Sequence, residues 1–169
     1  MSGKDSALAL RIIGFLREIG LHVELGEVAE DSFLPGLRIR GGGLLVDLDR
    51  LLWPGDLLHE AGHLAVVPPE VRATLDDALQ DMPAVPHGGE IEATAWAWAA
   101  TRHLGLDSAV LFHDGGYRGH AAGLRMNFEL GVYLGASGLA NAGMTTLASQ
   151  ASKFRDASVY PQMRLWLRT

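Results

Sequence analysis

The stretch LLHEAGHL, residues 57–64, sets two histidines four positions apart with Glu60 beside the first. Four residues make about one turn of an α-helix, so His59 and His63 share a face and can aim both imidazoles at one point. Imidazoles that converge in this way are donors for a divalent ion, and zinc accepts them at about 2.0–2.1 Å. Glu60 is rotated about 100° from His59, which suits it poorly as a third ligand. It can instead reach a metal-bound water and take its proton, the work of a general base. Chance is a weak source of the pattern. With 7 histidines among 169 residues, a random H-E-x-x-H is expected roughly 0.015 times in such a chain.

Two histidines hold zinc weakly, so a third ligand has to come from elsewhere. The segment EIEATAWAWAA, residues 90–100, offers Glu90 and Glu92. They lie about 200° apart around a helix, so only one of them can face the ion. Glu92 is the favoured candidate and Glu90 its rival. Glu92 lies farther inside the helical segment, beside a shallow stripe of Ala93, Ala97 and Ala100 that would let two helices approach closely.

Other residues are candidates for lesser roles. The run FHDGGYRGH, residues 112–120, carries His113, Tyr117 and His120 on a glycine-rich loop. Each could donate a hydrogen bond to the oxyanion of a tetrahedral intermediate. The plainer reading is a turn with incidental polar residues. His103 follows Glu92 by 11 residues, about 16 Å farther along a helix, too far to share the ion. His22 and His87 have no partner in sequence and are expected to be structural or solvated. Arg38 and Arg40 form a solvated strand face, or belong to an edge strand that aligns an extended peptide. Trp53, Trp96 and Trp98 are expected in the core.

The elements that position these residues follow from periodicity and punctuation. Leu8, Ile12, Phe15, Leu16 and Ile19 recur at helical spacing, predicting a first helix over 6–19 that Gly20 ends. Residues 22–28, HVELGEV, read as a strand. Leu37 and Ile39 alternate with arginines, and Leu44, Val46 and Leu48 alternate after the glycines at 41–43, predicting a hairpin. Asp56 is expected to cap the helix that carries His59 and His63, and Pro68-Pro69 to end it. A further helix is expected from Pro69 over 69–80, then a loop over 81–89, then a strong helix from Glu90 closed by Gly105. Residues 107–169 read as mainly helical. The fold class is therefore α+β, with one domain over residues 1–169.

Composition narrows the functions. The net charge is −6 and no basic stripe is present, which argues against a nucleic-acid partner. There is no cysteine, so a metal must be held by histidine, carboxylate and water. Arg11 and Arg17 interrupt the N-terminal apolar run, so no secretory signal is read there and the cytoplasm is the expected compartment. Residues 130–152 carry no charge, but Gly, Ala, Ser, Thr and Asn dominate them, and we expect close-packed helices rather than a membrane span.

HEAGH, followed after 28 residues by EATAWAW, resembles the ImmA/IrrE-type zinc metallopeptidases of the gluzincin group. In that family an HExxH helix precedes an E-A-N-x-F-A-like helix. Here Glu92-Ala93-Thr94-Ala95-Trp96-Ala97 takes the second place, with Thr for the usual Asn and Trp for Phe. The stretch LPGLRIRGGGLLVD is similar to the family's strand pair. The resemblance spans about residues 34–100. It implies a zincin-like fold, His59, His63 and Glu92 as zinc ligands, and Glu60 as catalytic base acting on a peptide or protein substrate. A zinc-containing binding or regulatory protein without proteolytic turnover is the alternative, and a metal-free helical interaction protein a third.

Overall fold

The computed structural model describes residues 3–30, 32–77, 84–153 and 158–169. The first helix, α1 (Gly3–Glu18), buries Ile12, Ile13 and Leu16 on one side. Gly20 turns the chain with φ 98°, a left-handed conformation that glycine adopts without a Cβ clash.

Three short strands follow: β1 (Val23–Leu25), β2 (Leu37–Arg40) and β3 (Gly43–Val46). Their order is β1-β3-β2, with β2 and β3 antiparallel and β1 parallel to β3. The hairpin is the one the glycines predict. Gly41 and Gly42 have φ of 53° and 77°, as a two-residue turn with both central residues left-handed requires. The central strand β3 is buried at all four positions, and Leu44 faces Val23 on one side and Ile39 on the other. The strand expected over 22–28 is shorter, although Gly26 still donates its N–H to the Val46 carbonyl at 3.0 Å.

The outer edge of β2 is already engaged. Ile39 N–H donates to Asp77 Oδ1 at 2.7 Å, Gly41 N–H to Asp76 Oδ1 at 2.9 Å and Gly42 N–H to the Leu75 carbonyl at 2.9 Å. Residues 75–77 thus take the donors that an added strand would need. Arg38 pairs with Asp77 and Arg40 with Glu24, so neither arginine stands ready to align a peptide along this edge.

The helical part contains α2 (Asp56–Ala65), α3 (Pro69–Arg72), α4 (Glu90–His103), α5 (Ser108–Leu111), α6 (Ala121–Glu129) and α7 (Ala136–Asn141). The helix expected over 69–80 is a single turn, after which the chain leaves the helix and residues 75–77 reach β2. Residues 78–80 of that expectation, and 81–83 of the expected loop, lie outside the described residues. Beyond α4 the helices are short and glycine turns separate them, with 3-10 turns at Tyr117–Gly119 and Ala148–Lys153. Among the described residues no helix is long and apolar enough to cross a membrane, and 130–152 hold only the six-residue α7 and a 3-10 turn.

One hydrophobic cluster runs from Ala9 in α1 to Tyr160 and includes Trp96 and Trp98 of α4. The C-terminal residues lie on this core. Trp96 Nε1–H donates to the Trp166 carbonyl at 2.8 Å, and Tyr160 Oη–H to the Ala95 carbonyl at 2.8 Å. The architecture is α+β, a small mixed sheet packed with several helices.

Candidate metal centre

Helix α2 is held at both ends. At its start Gly55, rather than Asp56, is the N-cap, and no side chain caps it. A Cβ on Gly55 would stand 1.8 Å from the Val110 carbonyl oxygen, so only glycine fits where α5 abuts α2. Asp56 is the first helical residue, and its Oδ1 accepts a hydrogen bond from His113 Nε2 at 2.8 Å instead of capping. At the other end, where carbonyls lack helical partners, two arginines supply donors. Arg72 donates to the carbonyls of Leu64 (2.7 Å) and Val67 (3.0 Å). Arg168 donates its backbone N–H to Ala65 (2.9 Å) and its guanidinium to Val66 (3.2 Å).

Helix α4 crosses α2 at Gly62. A Cβ there would lie 2.5 Å from the Ala93 carbonyl oxygen, so the backbones touch only because residue 62 has no side chain. This contact decides which face of α4 meets the histidines. Glu90, one turn before Ala93, falls about 60° from the contact line, whereas Glu92 falls about 100° away. Glu90 accordingly reaches the imidazoles, with Oε1 3.1 Å from His59 Nε2 and Oε2 3.3 Å from His63 Nε2. The two Nε2 atoms are 3.2 Å apart.

These separations fit a bound ion. A tetrahedral site with arms of about 2.0–2.1 Å has ligand-to-ligand edges of about 3.3 Å. Two imidazole nitrogens that face each other also need a proton or a cation between their lone pairs. His59, His63 and Glu90 form the group among the described residues whose donor atoms converge closely enough to hold a metal ion. The His63 side chain is 9% exposed, that of His59 18% and that of Glu90 65%, so the centre faces solvent on its Glu90 side.

Glu92, the carboxylate favoured from the sequence, is placed elsewhere. It is buried at 8% exposure and turns back on its own helix, where Oε2 accepts the Gly89 N–H at 3.1 Å. This is the reach-back half of a capping box, which Glu at the third helical position readily forms. Gly138 of α7 covers it so closely that a Cβ would stand 2.2 Å from Glu92 Oε1.

The electrostatics follow from crowding acids around two histidines. Hydrogen bonds from His59, then from His63, hold the Glu90 carboxyl far below the usual carboxylate range against the opposing effect of burial. For His59, burial disfavours the charged ring, but the hydrogen bond to Glu90 and the charges of Glu60, Glu90 and Asp56 outweigh it and raise its pKa. Burial raises the Glu60 carboxyl, with the His63 and His59 charges opposing and Asp56 and Glu90 reinforcing. A carboxyl that holds its proton more readily than usual, next to His59 in the chain, suits proton transfer.

Of the three loop candidates, the structure brings Tyr117 to the centre. Its Oη lies 3.4 Å from His59 Nδ1, and the rings meet edge to face at 5.3 Å. Burial, then the charges of Asp56, Glu90 and Glu60, push the phenol pKa up, so it stays protonated. His113 is one step removed: buried, bonded to Asp56 and stacked on Trp53 with centroids 4.6 Å apart. Trp53 is thus a half-exposed lid on His113 rather than a core residue. His120 is exposed and is the N-cap of α6. His22 and His87 are exposed, and His103, at the end of α4, packs on Phe15 and Trp166.

Compared with known proteins, the chain matches no family model, no curated protein and no solved structure. Its chemistry has to be read from the centre itself. From the sequence alone Glu90 is the second choice, and Asp56 has no part beyond capping. The alanine stripe at 93, 97 and 100 carried the missing signal, since the same helical spacing extended backwards leads to residue 90.

Proposed function

We propose that the chain is a cytoplasmic, zincin-like, zinc-dependent peptidase in which His59, His63 and Glu90 hold the ion and Glu60 is the catalytic base. The convergence of His59 Nε2, His63 Nε2 and the Glu90 carboxylate at 3.1–3.3 Å carries the reading. Two imidazoles and one carboxylate are a donor set that suits zinc, and three protein ligands leave a position for chemistry. Zinc bound there supplies Lewis-acid polarisation of a carbonyl and makes a water more acidic.

The chain's own groups do the rest. Glu60 accepts a proton from the attacking water as the water oxygen bonds to the scissile carbonyl carbon. Its raised pKa keeps that proton available, and Glu60 then delivers it to the amine nitrogen as the C–N bond breaks. The exposed side at Glu90 gives a peptide access to the reacting centre. The resemblance of HEAGH and its neighbourhood to the ImmA/IrrE-type peptidases supports the same reading, with Glu90 in the ligand role that the resemblance gives to Glu92.

The test uses a mixed library of unstructured peptides and the Glu60→Gln variant. We expect the native chain loaded with zinc to cleave the library, and the variant to keep zinc and lose turnover by several orders of magnitude. Equal cleavage by the variant would remove Glu60 from the mechanism. Zinc uptake with no cleavage of any peptide would leave the non-proteolytic binding protein as the better reading.

A further inference from the structure

We infer that Tyr117 is a positioning residue for the metal centre: its hydroxyl oxygen accepts the His59 Nδ1 proton and thereby commits Nε2 to the ion. The inference rests on the metal reading proposed above and assigns the residue that orients one of its ligands.

A neutral imidazole carries one proton, and the nitrogen that bears it cannot bind metal. His59 Nε2 faces His63 and Glu90. Nδ1 must then carry the hydrogen, and its partner is Tyr117 Oη at 3.4 Å. The phenol sits on the ring nitrogen turned away from Glu90, a place suited to orienting the ligand rather than to meeting an oxyanion. Partners of this kind fix both the tautomer and the direction of a ligating ring.

The loop is built to deliver this one side chain. Tyr117 and Arg118 have φ of 54° and 51°, two consecutive non-glycine residues in the left-handed region. Strain of that sort persists where its surroundings enforce it, and it gathers at functional sites. The two preceding glycines allow the approach. A Cβ at Gly115 would stand 2.6 Å from Trp53 Nε1, and one at Gly116 3.1 Å from His113 Cε1. The backbone therefore slides over the Trp53–His113 stack, which Asp56 ties to α2, before it turns sharply at Tyr117. DGGYRG is thus a bracket that runs from the start of the metal helix to its first histidine.

The test compares the native chain with Tyr117→Phe, which keeps the ring that packs on His59 and Phe112 and removes only the hydroxyl. Zinc affinity is measured by competition with a chromophoric chelator. The His59 Nδ1–H resonance of the zinc-loaded protein is followed by NMR. We expect Tyr117→Phe to bind zinc about tenfold more weakly or worse, and its His59 Nδ1–H signal to shift and exchange faster with solvent. Tyr117→Leu, which also removes the ring, separates hydroxyl from packing: loss in Leu alone, with Phe like the native chain, overturns the inference. An unchanged Nδ1–H signal in the Phe variant overturns it as well. A native chain that takes up no zinc removes the proposed function and this inference together, whereas tight native binding with an indifferent Phe variant removes only the latter.

Discussion

Gly62 of α2 lies against the backbone of Ala93 in α4, and a Cβ at residue 62 would come within 2.5 Å of the Ala93 carbonyl oxygen. The glycine in HEAGH is therefore the point at which two helices touch, and it sets the distance between the imidazoles on one and the carboxylate on the other. Gly62→Ala must push α4 away or strain both backbones, a cost of about 1–3 kcal/mol. We expect lower stability in chemical denaturation together with weakened metal uptake. A variant as stable as the native chain would show that the helices tolerate a wider crossing.

Glu90 and Glu92 should separate cleanly by mutation. Glu90→Gln removes a charged donor from an exposed position, so metal affinity should fall by tenfold or more, and the metal-free chain should lose the stability that the Glu90 pairing with the histidines supplies in mildly acidic buffer. Glu92→Gln weakens the charge at a helix start and a buried cap, a loss of about 0.5–2 kcal/mol, while the metal is retained. Chelator competition and urea denaturation of both variants check this, and the opposite pattern would return the ligand role to Glu92.

The metal-free chain should be most stable in mildly acidic buffer. A carboxyl whose folded pKa is lowered stabilises the fold above its ordinary value and loses that contribution as pH falls, which is the case of Glu90, ordinarily 4.5. A histidine whose folded pKa is raised stabilises below its ordinary value and loses that contribution as pH rises through the folded one, which is the case of His59, ordinarily 6.5. Both act fully only between those values, and the raised Glu60 adds a contribution that also fades with rising pH. Melting temperature should thus fall from mildly acidic buffer towards about pH 8, and added zinc should reverse the trend because protons compete for its ligands. A flat profile without metal would contradict the ion-pair reading.

Asp56→Ala should destabilise the chain. It leaves His113 Nε2 without its partner, in a ring whose buried Nδ1 has none among the described residues. Stranding a buried polar group costs about 1–3 kcal/mol. Urea denaturation of the variant measures it, and a change much below that range would mean that water reaches the ring.

How much of this was legible in the sequence depends on how local each feature is. Helices α1 and α2 repeat their apolar residues every three or four positions, α4 is an alanine-rich run of good helix formers, and Gly41-Gly42 alone specifies the hairpin turn. The parallel pairing of Val23–Leu25 with β3 was not legible, because a three-residue strand takes its register from distant packing. The short helix at 69–72 escaped for a similar reason. Asp76 and Asp77 look like helical residues, but β2 needs their carboxylates. In the centre, two histidines one turn apart were plain. The choice between two glutamates was not, since it turns on where α4 crosses α2, and the favoured one had a competing bond at its own helix start. His113 and Tyr117 could be named as candidates, but only backbone dihedrals sort them, and residue types do not encode those directly.

The two arginines at the far end of α2 carry a consequence for biosynthesis. Arg168 grips the carbonyls of Ala65 and Val66, and Arg72 in turn donates to the Arg168 carbonyl at 2.8 Å. The element that presents the histidines is therefore fastened by a residue translated about a hundred codons later. A nascent chain halted before that point holds this end of the helix through Arg72 alone, so the helix that carries HEAGH gains its final fastening only after Arg168 has been added.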